Sequence, residues 1–203
     1  NESWRSIRYG NGVITVVDNF LPNDLLHAVY EEVKGCKLIS LSEHKNSAKL
    51  GERGIDYPGL RSVPLKETNK ILDSFLIKHL EGYGLPFTNK PYMYVQHAHL
   101  RVEKDNETDY IHIDGGMHFA WLLYLSKTNL KSGTKFYTDD EKETSFVRFI
   151  QNRFVIFDCN IKHMAVNNHG KDLNDGRLTV NGFASYNMEI NDDNSWFKSN
   201  NDF

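Results

Sequence analysis

Cysteine is scarce in this chain: Cys36 and Cys159 lie far apart, and there is no CxxC pair. That rules out a disulfide framework and leads us to expect two reduced thiols in a cytoplasmic protein. Long apolar runs are missing too. None approaches the roughly 20 residues that cross a bilayer, so no membrane partner is expected, and no segment reads as a signal peptide. Basic clusters are also lacking, and the net charge is −3. This argues against nucleic acid or an anionic membrane surface as the main partner. What is present is 203 residues with 39% hydrophobic and 25% charged side chains, the profile of a soluble globular domain. A chain of that length buries roughly 70% of its unfolded surface without staples, so one domain over 1–203 is expected.

Residues 12–17, "GVITVV", read as a strand, with "DNFLPND" as the turn after it. In "DLLHAVYEEVKG" Leu25, Leu26, Val29 and Val33 share one helical face, with Asn23 as N-cap and Gly35 as the stop. A second helix is predicted over "PLKETNKILDSFLIKHLEGYG". Its stripe is Leu65, Leu72, Phe75, Leu76, His79 and Leu80, with Pro64 at the first helical position and His79 a packing residue. Between the helices, Lys37 to Arg61 is polar and broken by Gly51, Gly54, Pro58 and Gly59. That pattern predicts a long loop or lid, with Arg53, Tyr57 and Arg61 as candidate substrate-recognition residues.

After Pro91 the character changes. "YMYVQHAHLRV", "YIHID", "HFAWLLYLS", "TKFYT", "SFVRFI", "RFVIFD" and "RLTVNGFASYNM" are rich in aromatic and branched residues and are separated by turn residues. Many short strands at this spacing predict a sandwich or barrel, mainly β with flanking helices packed on one face. Residues 1–90 supply the first strand, the helices and the lid loop, and 91–190 the β core. The segment 191–203 is a polar tail, frayed apart from Trp196 and Phe197.

One constellation carries chemistry. In a strand, i and i+2 point to the same face, so "HID" projects His112 and Asp114 together. His163, after the strand "RFVIFD" and the turn "CNIK", supplies a third donor. His169 is its rival, but it lies in the polar loop "NNHGKDLNDG". Two imidazoles and one carboxylate on neighbouring strands make the facial triad of non-haem Fe(II) oxygenases, which leaves positions open for substrate and O2. Arg177 opens the strand "RLTVNGF", with Thr179 on the same face. A buried guanidinium needs an anion, and Arg177 with Thr179 offers N–H donors and a hydroxyl to a carboxylate. His118, after Gly115 and Gly116, is either a group leaning over the metal or a solvated strand end; Trp121 reads as core.

The order HxD, "LLYLS", "SGTKFY", "RFVIFD", His, then Arg and a final strand resembles the 2-oxoglutarate and Fe(II)-dependent dioxygenases, particularly the prolyl 4-hydroxylase-like branch. The match runs from about Tyr94 to Tyr186, and "VVDNFLPNDLLHAVYEEV" resembles the branch's N-terminal strand and helix. The resemblance implies a double-stranded β-helix (jelly roll) flanked by helices. It implies Fe(II) held by His112, Asp114 and His163, the catalytic metal triad. It also implies 2-oxoglutarate held at its distal carboxylate by Arg177 and Tyr124, with Thr179 assisting. The strand before the HxD usually carries a further cosubstrate contact, often a tyrosine; here it reads "HAHLRV", which puts His99 or Arg101 in that role. Gly133 is structural.

The implied activity is hydroxylation of a peptide or prolyl side chain or a small molecule, consuming O2 and releasing succinate and CO2, with ascorbate as a reductant the family admits. Asp114 keeps the carboxylate that halogenases lack. The branch that repairs alkylated nucleobases carries a second arginine six residues after the first, where this chain has Phe183. The spacing of fourteen positions from His163 to Arg177 marks an inserted loop. A cupin-like jelly roll that binds a metal or ligand without catalysis, and a metal-free β-sandwich recognition module, are the alternatives. Neither requires Arg177.

Overall fold

A computed structural model describes residues 4–9, 12–46, 57–81, 92–114 and 118–185. The elements are β1 (Trp4–Tyr9), β2 (Gly12–Val17), α1 (Asn23–Gly35), β3 (Leu38–Ser40), α2 (Leu41–Asn46), β4 (Leu60–Ser62) and α3 (Lys66–Glu81). They continue with β5 (Tyr92–Arg101), a 3-10 turn (Glu103–Glu107), β6 (Phe119–Tyr124), β7 (Asn129–Tyr137), β8 (Glu143–Phe149), β9 (Arg153–Asp158), β10 (Lys162–Val166) and β11 (Arg177–Ser185).

The strands form two antiparallel sheets. The larger runs β1-β2-β9-β6-β11-β5-β4-β3 and the smaller β10-β7-β8. Alternation along each central strand sends side chains to two different cores. On β6, Phe119, Trp121 and Leu123 face one way and Ala120 and Tyr124 the other. On β9, Phe154 and Ile156 oppose Val155 and Phe157. The first set meets Val29 and Val33 of α1 and Leu65 and Leu72, which packs both helices on one face of the large sheet. The second set meets Phe136, Val147 and Phe149 of the small sheet. The result is the expected jelly roll with flanking helices. Trp121 is fully buried core, its Nε1 donating to the Phe183 carbonyl at 3.1 Å.

Local differences from the sequence reading have physical causes. Pro22, not Asn23, is the N-cap of α1, and Gly35 is its last residue, with Cys36 closing it through a bond to Val33 O. Helix α3 starts after Pro64 and Leu65. Its first amides are capped by Glu32 of α1, which accepts from Glu67 N at 3.1 Å and Thr68 N at 2.6 Å. That cap is invisible to a local reading. The loop expected over 37–61 is corrected in its described parts: it contains α2, and β3 and β4 extend the sheet edge beside β5. Of the breakers that suggested a loop, Gly59 serves close packing instead, and Gly51 and Gly54 lie outside the described residues. A Cβ on Gly59 would sit 2.3 Å from Leu100 O, and its φ is +80°. Gly133 lies inside β7 rather than before it, with Val147 O of β8 at 2.2 Å from a built Cβ. Arg53, the side chains of Leu76, His79 and Leu80, and the tail 191–203 lie outside the described residues. No described helix is long and apolar enough to cross a membrane, and Cys36 and Cys159 are not joined in a disulfide.

Candidate active site

His112 and Asp114 do not sit on a strand, which corrects the reading of "YIHID". The Asp105 carboxylate accepts from Val102 N at 2.7 Å and turns the chain through the 3-10 segment as β5 ends. Pairing resumes at a single isolated bridge to β10, where His112 N donates to His163 O at 3.0 Å and His163 N to His112 O at 2.9 Å. Asp114 N then donates to Cys159 O at 3.2 Å. Strand β10, which the sequence reading did not anticipate, carries His163 into register with Phe136.

These backbone ties converge three donors. The Nε2 atoms of His112 and His163 lie 3.8 Å and 3.5 Å from the two Asp114 carboxylate oxygens. One ligand atom from each residue falls within 4.8 Å of the others, a grouping that could hold a metal ion. Each imidazole turns its Nδ1 to a carbonyl two residues earlier, Tyr110 O and Ile161 O, both at 3.0 Å. A carbonyl only accepts, so Nδ1 carries the proton and Nε2 keeps its lone pair for a ligand role. Burial lowers the His163 pKa, with the Asp114 charge working against it, so the imidazole is neutral at neutral pH. His169 stands apart, its ring edge-on to Phe149. His118 is exposed at the start of β6.

The same pocket is lined by His112, Asp114 and His163 together with Arg61, Arg101 and Arg177. Arg177 is 1% exposed, the second largest side chain so fully enclosed among the described residues. It donates to Thr134 Oγ1 at 3.3 Å and lies over the rings of Tyr124 and Phe149, at 5.7 and 5.5 Å. Its Nε has no hydrogen-bond partner, and it makes no ion pair with a described carboxylate. Burial and the Arg101 charge bring its pKa down to about 10, so it remains a cation. Tyr124 is wholly buried and donates to Thr134 Oγ1 at 2.7 Å. Tyr124, Thr134 and Arg177 thus form one linked group. Thr134, next to the structural Gly133, is a site residue the sequence reading passed over. Thr179 is buried on the same strand as Arg177, and its hydroxyl donates to Asn181 Oδ1 at 2.6 Å.

Arg101 faces the pocket with its Nη2 3.6 Å from Asp109. His99 is fully buried, its Nε2 2.6 Å from Pro58 O and its ring edge-on to Tyr57. Burial, then the nearby Arg101 and Arg61 charges, hold its pKa well below the ordinary range. A neutral ring facing a carbonyl must donate, so His99 ties β5 to the segment before β4.

No family model matches the chain, and no curated protein does. Solved structures do. A prolyl-4-hydroxylase from Pseudomonas putida superposes with a TM-score of 0.52 at 15% sequence identity, covering 86% of this chain and 92% of that one. The fold resembles that of this prolyl 4-hydroxylase. A non-heme alpha-ketoglutarate-dependent epimerase from nogalamycin biosynthesis superposes with a TM-score of 0.53 at 13% identity, covering 85% of this chain and 78% of that one. Coverage of this extent takes in the N-terminal helices as well as the jelly roll. The prolyl 4-hydroxylase-like resemblance read from motifs between Tyr94 and Tyr186 therefore holds, as a fold, over most of the chain.

Proposed function

We propose that the protein is an Fe(II)- and 2-oxoglutarate-dependent dioxygenase that hydroxylates a peptide or small-molecule substrate. The observation that carries this reading is the pairing, in one pocket, of a His-Asp-His group with a buried Arg177 that has no carboxylate of its own. A metal-binding protein without a cosubstrate would gain nothing from burying that charge, which costs several kcal/mol when left unpaired.

The donor set fits Fe(II): two imidazoles and one carboxylate within reach of one ion, a ligand set that leaves positions open. In this reading His112, Asp114 and His163 hold the iron. Arg177, with its unpartnered Nε, and Thr134, with its hydroxyl shared by Tyr124, receive the distal carboxylate of 2-oxoglutarate. Iron, 2-oxoglutarate and O2 together supply the oxidative chemistry, in which the cosubstrate leaves as succinate and CO2 and the substrate gains a hydroxyl. The chain's own work is to bind, orient and exclude water. The Tyr110 and Ile161 carbonyls fix the two imidazole rings, Tyr124 and Phe149 flank the guanidinium with aromatic surface, and Phe136 and Phe157 pack beside His163.

The deciding experiment is anaerobic. Fe(II) and then 2-oxoglutarate are added and the visible metal-to-ligand charge-transfer band is recorded, with His163→Ala and Arg177→Ala as controls. The reading requires a band that is lost in the first variant and needs far more cosubstrate in the second. Folded, metal-loaded protein that gives no band would leave a cupin-like jelly roll.

A further inference from the structure

One distal carboxylate needs one guanidinium, yet this pocket holds three. Arg177 is the one assigned to the cosubstrate, and Arg101 already has Asp109 at 3.6 Å. Arg61 is left over. Its guanidinium lies 3.9 Å over the Tyr57 ring, it makes no ion pair with a described carboxylate, and its buried Nε has no hydrogen-bond partner. Burial, and next the Arg101 charge, bring its pKa down to about 10, which still leaves it charged at neutral pH.

Arg61 is held in place rather than trailing from a loop. It sits in register with His99 across β4–β5. Just before it, the Pro58 carbonyl is gripped by His99 Nε2, and Gly59 lies flat against the Leu100 carbonyl. The Tyr57 ring beneath the guanidinium is itself 3% exposed. Three consecutive residues are thus spent on fixing the position of one cation. Fixed donors aimed into a pocket are how proteins lower the cost of binding an anion.

Charge points the same way. The charges of three carboxylates, Asp109, Asp105 and Asp114, work on Arg101, while Arg61 forms an ion pair with none of them. A divalent metal and a doubly charged cosubstrate cancel each other, so their arrival still leaves the Arg61 guanidinium without an ion-pair partner among the described residues. A buried charge without a counter-ion is costly, and a site that carries one is built for a ligand that brings it.

We propose that Arg61 receives a carboxylate or phosphate group of the primary substrate, which makes the substrate an anion rather than a neutral side chain. This rests on the dioxygenase reading for the words "primary substrate" and gives that reading a substrate class. Arg61 is a specificity-determining residue in it, and a charge-assisted, two-pronged contact is the chemistry it offers.

The test is calorimetric and needs no turnover. Protein loaded with Mn(II) and saturated with 2-oxoglutarate is titrated with inorganic phosphate and, separately, with acetate, in the wild type, Arg61→Gln and Arg61→Lys. At least one anion should bind the wild type, about tenfold or more weaker in Arg61→Gln, as expected for loss of a charged hydrogen bond. Arg61→Lys should recover part of the loss, and 2-oxoglutarate affinity should change less than twofold. The stronger of the two probes tells phosphate from carboxylate. No binding of either anion to the wild type, or equal binding to Arg61→Gln, would overturn the proposal. So would an Arg61→Gln variant that loses 2-oxoglutarate as Arg177→Ala does, since that places Arg61 in the cosubstrate cradle. If wild-type protein takes no 2-oxoglutarate, the dioxygenase reading fails. Titration of the Mn(II) form alone then still decides whether Arg61 binds an anion.

Discussion

Arg177 and Arg101 are cross-strand partners: their Cα atoms face each other in the β11–β5 register, and both side chains line one pocket. Like charges directly opposite on a sheet destabilise it, and here the sheet is buried. The Arg101 charge, after burial, weakens the hold of Arg177 on its proton, whereas on Arg101 itself burial is opposed by Asp109, Asp105 and Asp114. The ligand-free fold therefore carries a charge that it would be more stable without.

Arg177→Met should consequently stabilise the ligand-free protein by about 1–2 kcal/mol, because a guanidinium with no described counter-ion is replaced by an apolar chain of similar length. The same variant should lose the rise in melting temperature that 2-oxoglutarate gives the metal-loaded wild type. Thermal scans with and without cosubstrate check both halves. A variant less stable than wild type without ligand would show that the Tyr124 and Phe149 faces contribute more than the charge costs.

Gly59→Ala should destabilise by about 2–3 kcal/mol. A methyl group there meets the Leu100 carbonyl at 2.3 Å, a backbone atom of β5 that cannot swing aside, and φ is +80°. Urea unfolding reads the loss as a lower midpoint at unchanged slope.

Acid should weaken the fold through His99. Its folded pKa lies well below the ordinary 6.5, chiefly from burial. As pH falls through about 6.5 the unfolded chain takes up a proton that the folded chain refuses, so the stability present above that pH is lost on the way down to the folded value. The urea midpoint should fall between about pH 7 and pH 5, and less steeply in His99→Gln, whose amide can still donate to Pro58 O. Equal slopes would count against His99 as the source.

Glu32→Ala should cost about 1–2 kcal/mol by uncapping α3, since Glu32 is the acceptor for both the Glu67 and Thr68 amides. Circular dichroism during denaturation measures it. Glu32→Gln, which keeps one acceptor oxygen, should fall between the two.

The jelly roll and the grouping of His112, Asp114 and His163 were legible because their signals are local or ordered. Strand patterning, "HID" and a histidine after "RFVIFD" survive without knowledge of the partners. The N-cap of α3 was not, because its acceptor is 35 residues upstream, at Glu32. Strand β10 was missed because "KHMAV" is too short and mixed to read as a strand; it exists through pairing with β7. Gly59 and Pro58 read as loop breakers, while in the structure they let one backbone lie against another. Arg61 was visible as a charged residue near that break, but its place in the pocket depends on the register of β4 with β5, which composition does not encode.

The bridge between His112 and His163 has one more consequence. Two reciprocal amide bonds, with the Asp114–Cys159 bond behind them, fasten the segment bearing two of the three proposed metal donors to the strand bearing the third. Opening that rung separates the donors, and joining the donors through an ion shuts the rung. Ion affinity and local unfolding of this segment are then a single equilibrium seen from two ends. The amide protons of His112 and His163 should exchange with solvent at a rate that measures how full the site is, without any catalysis taking place.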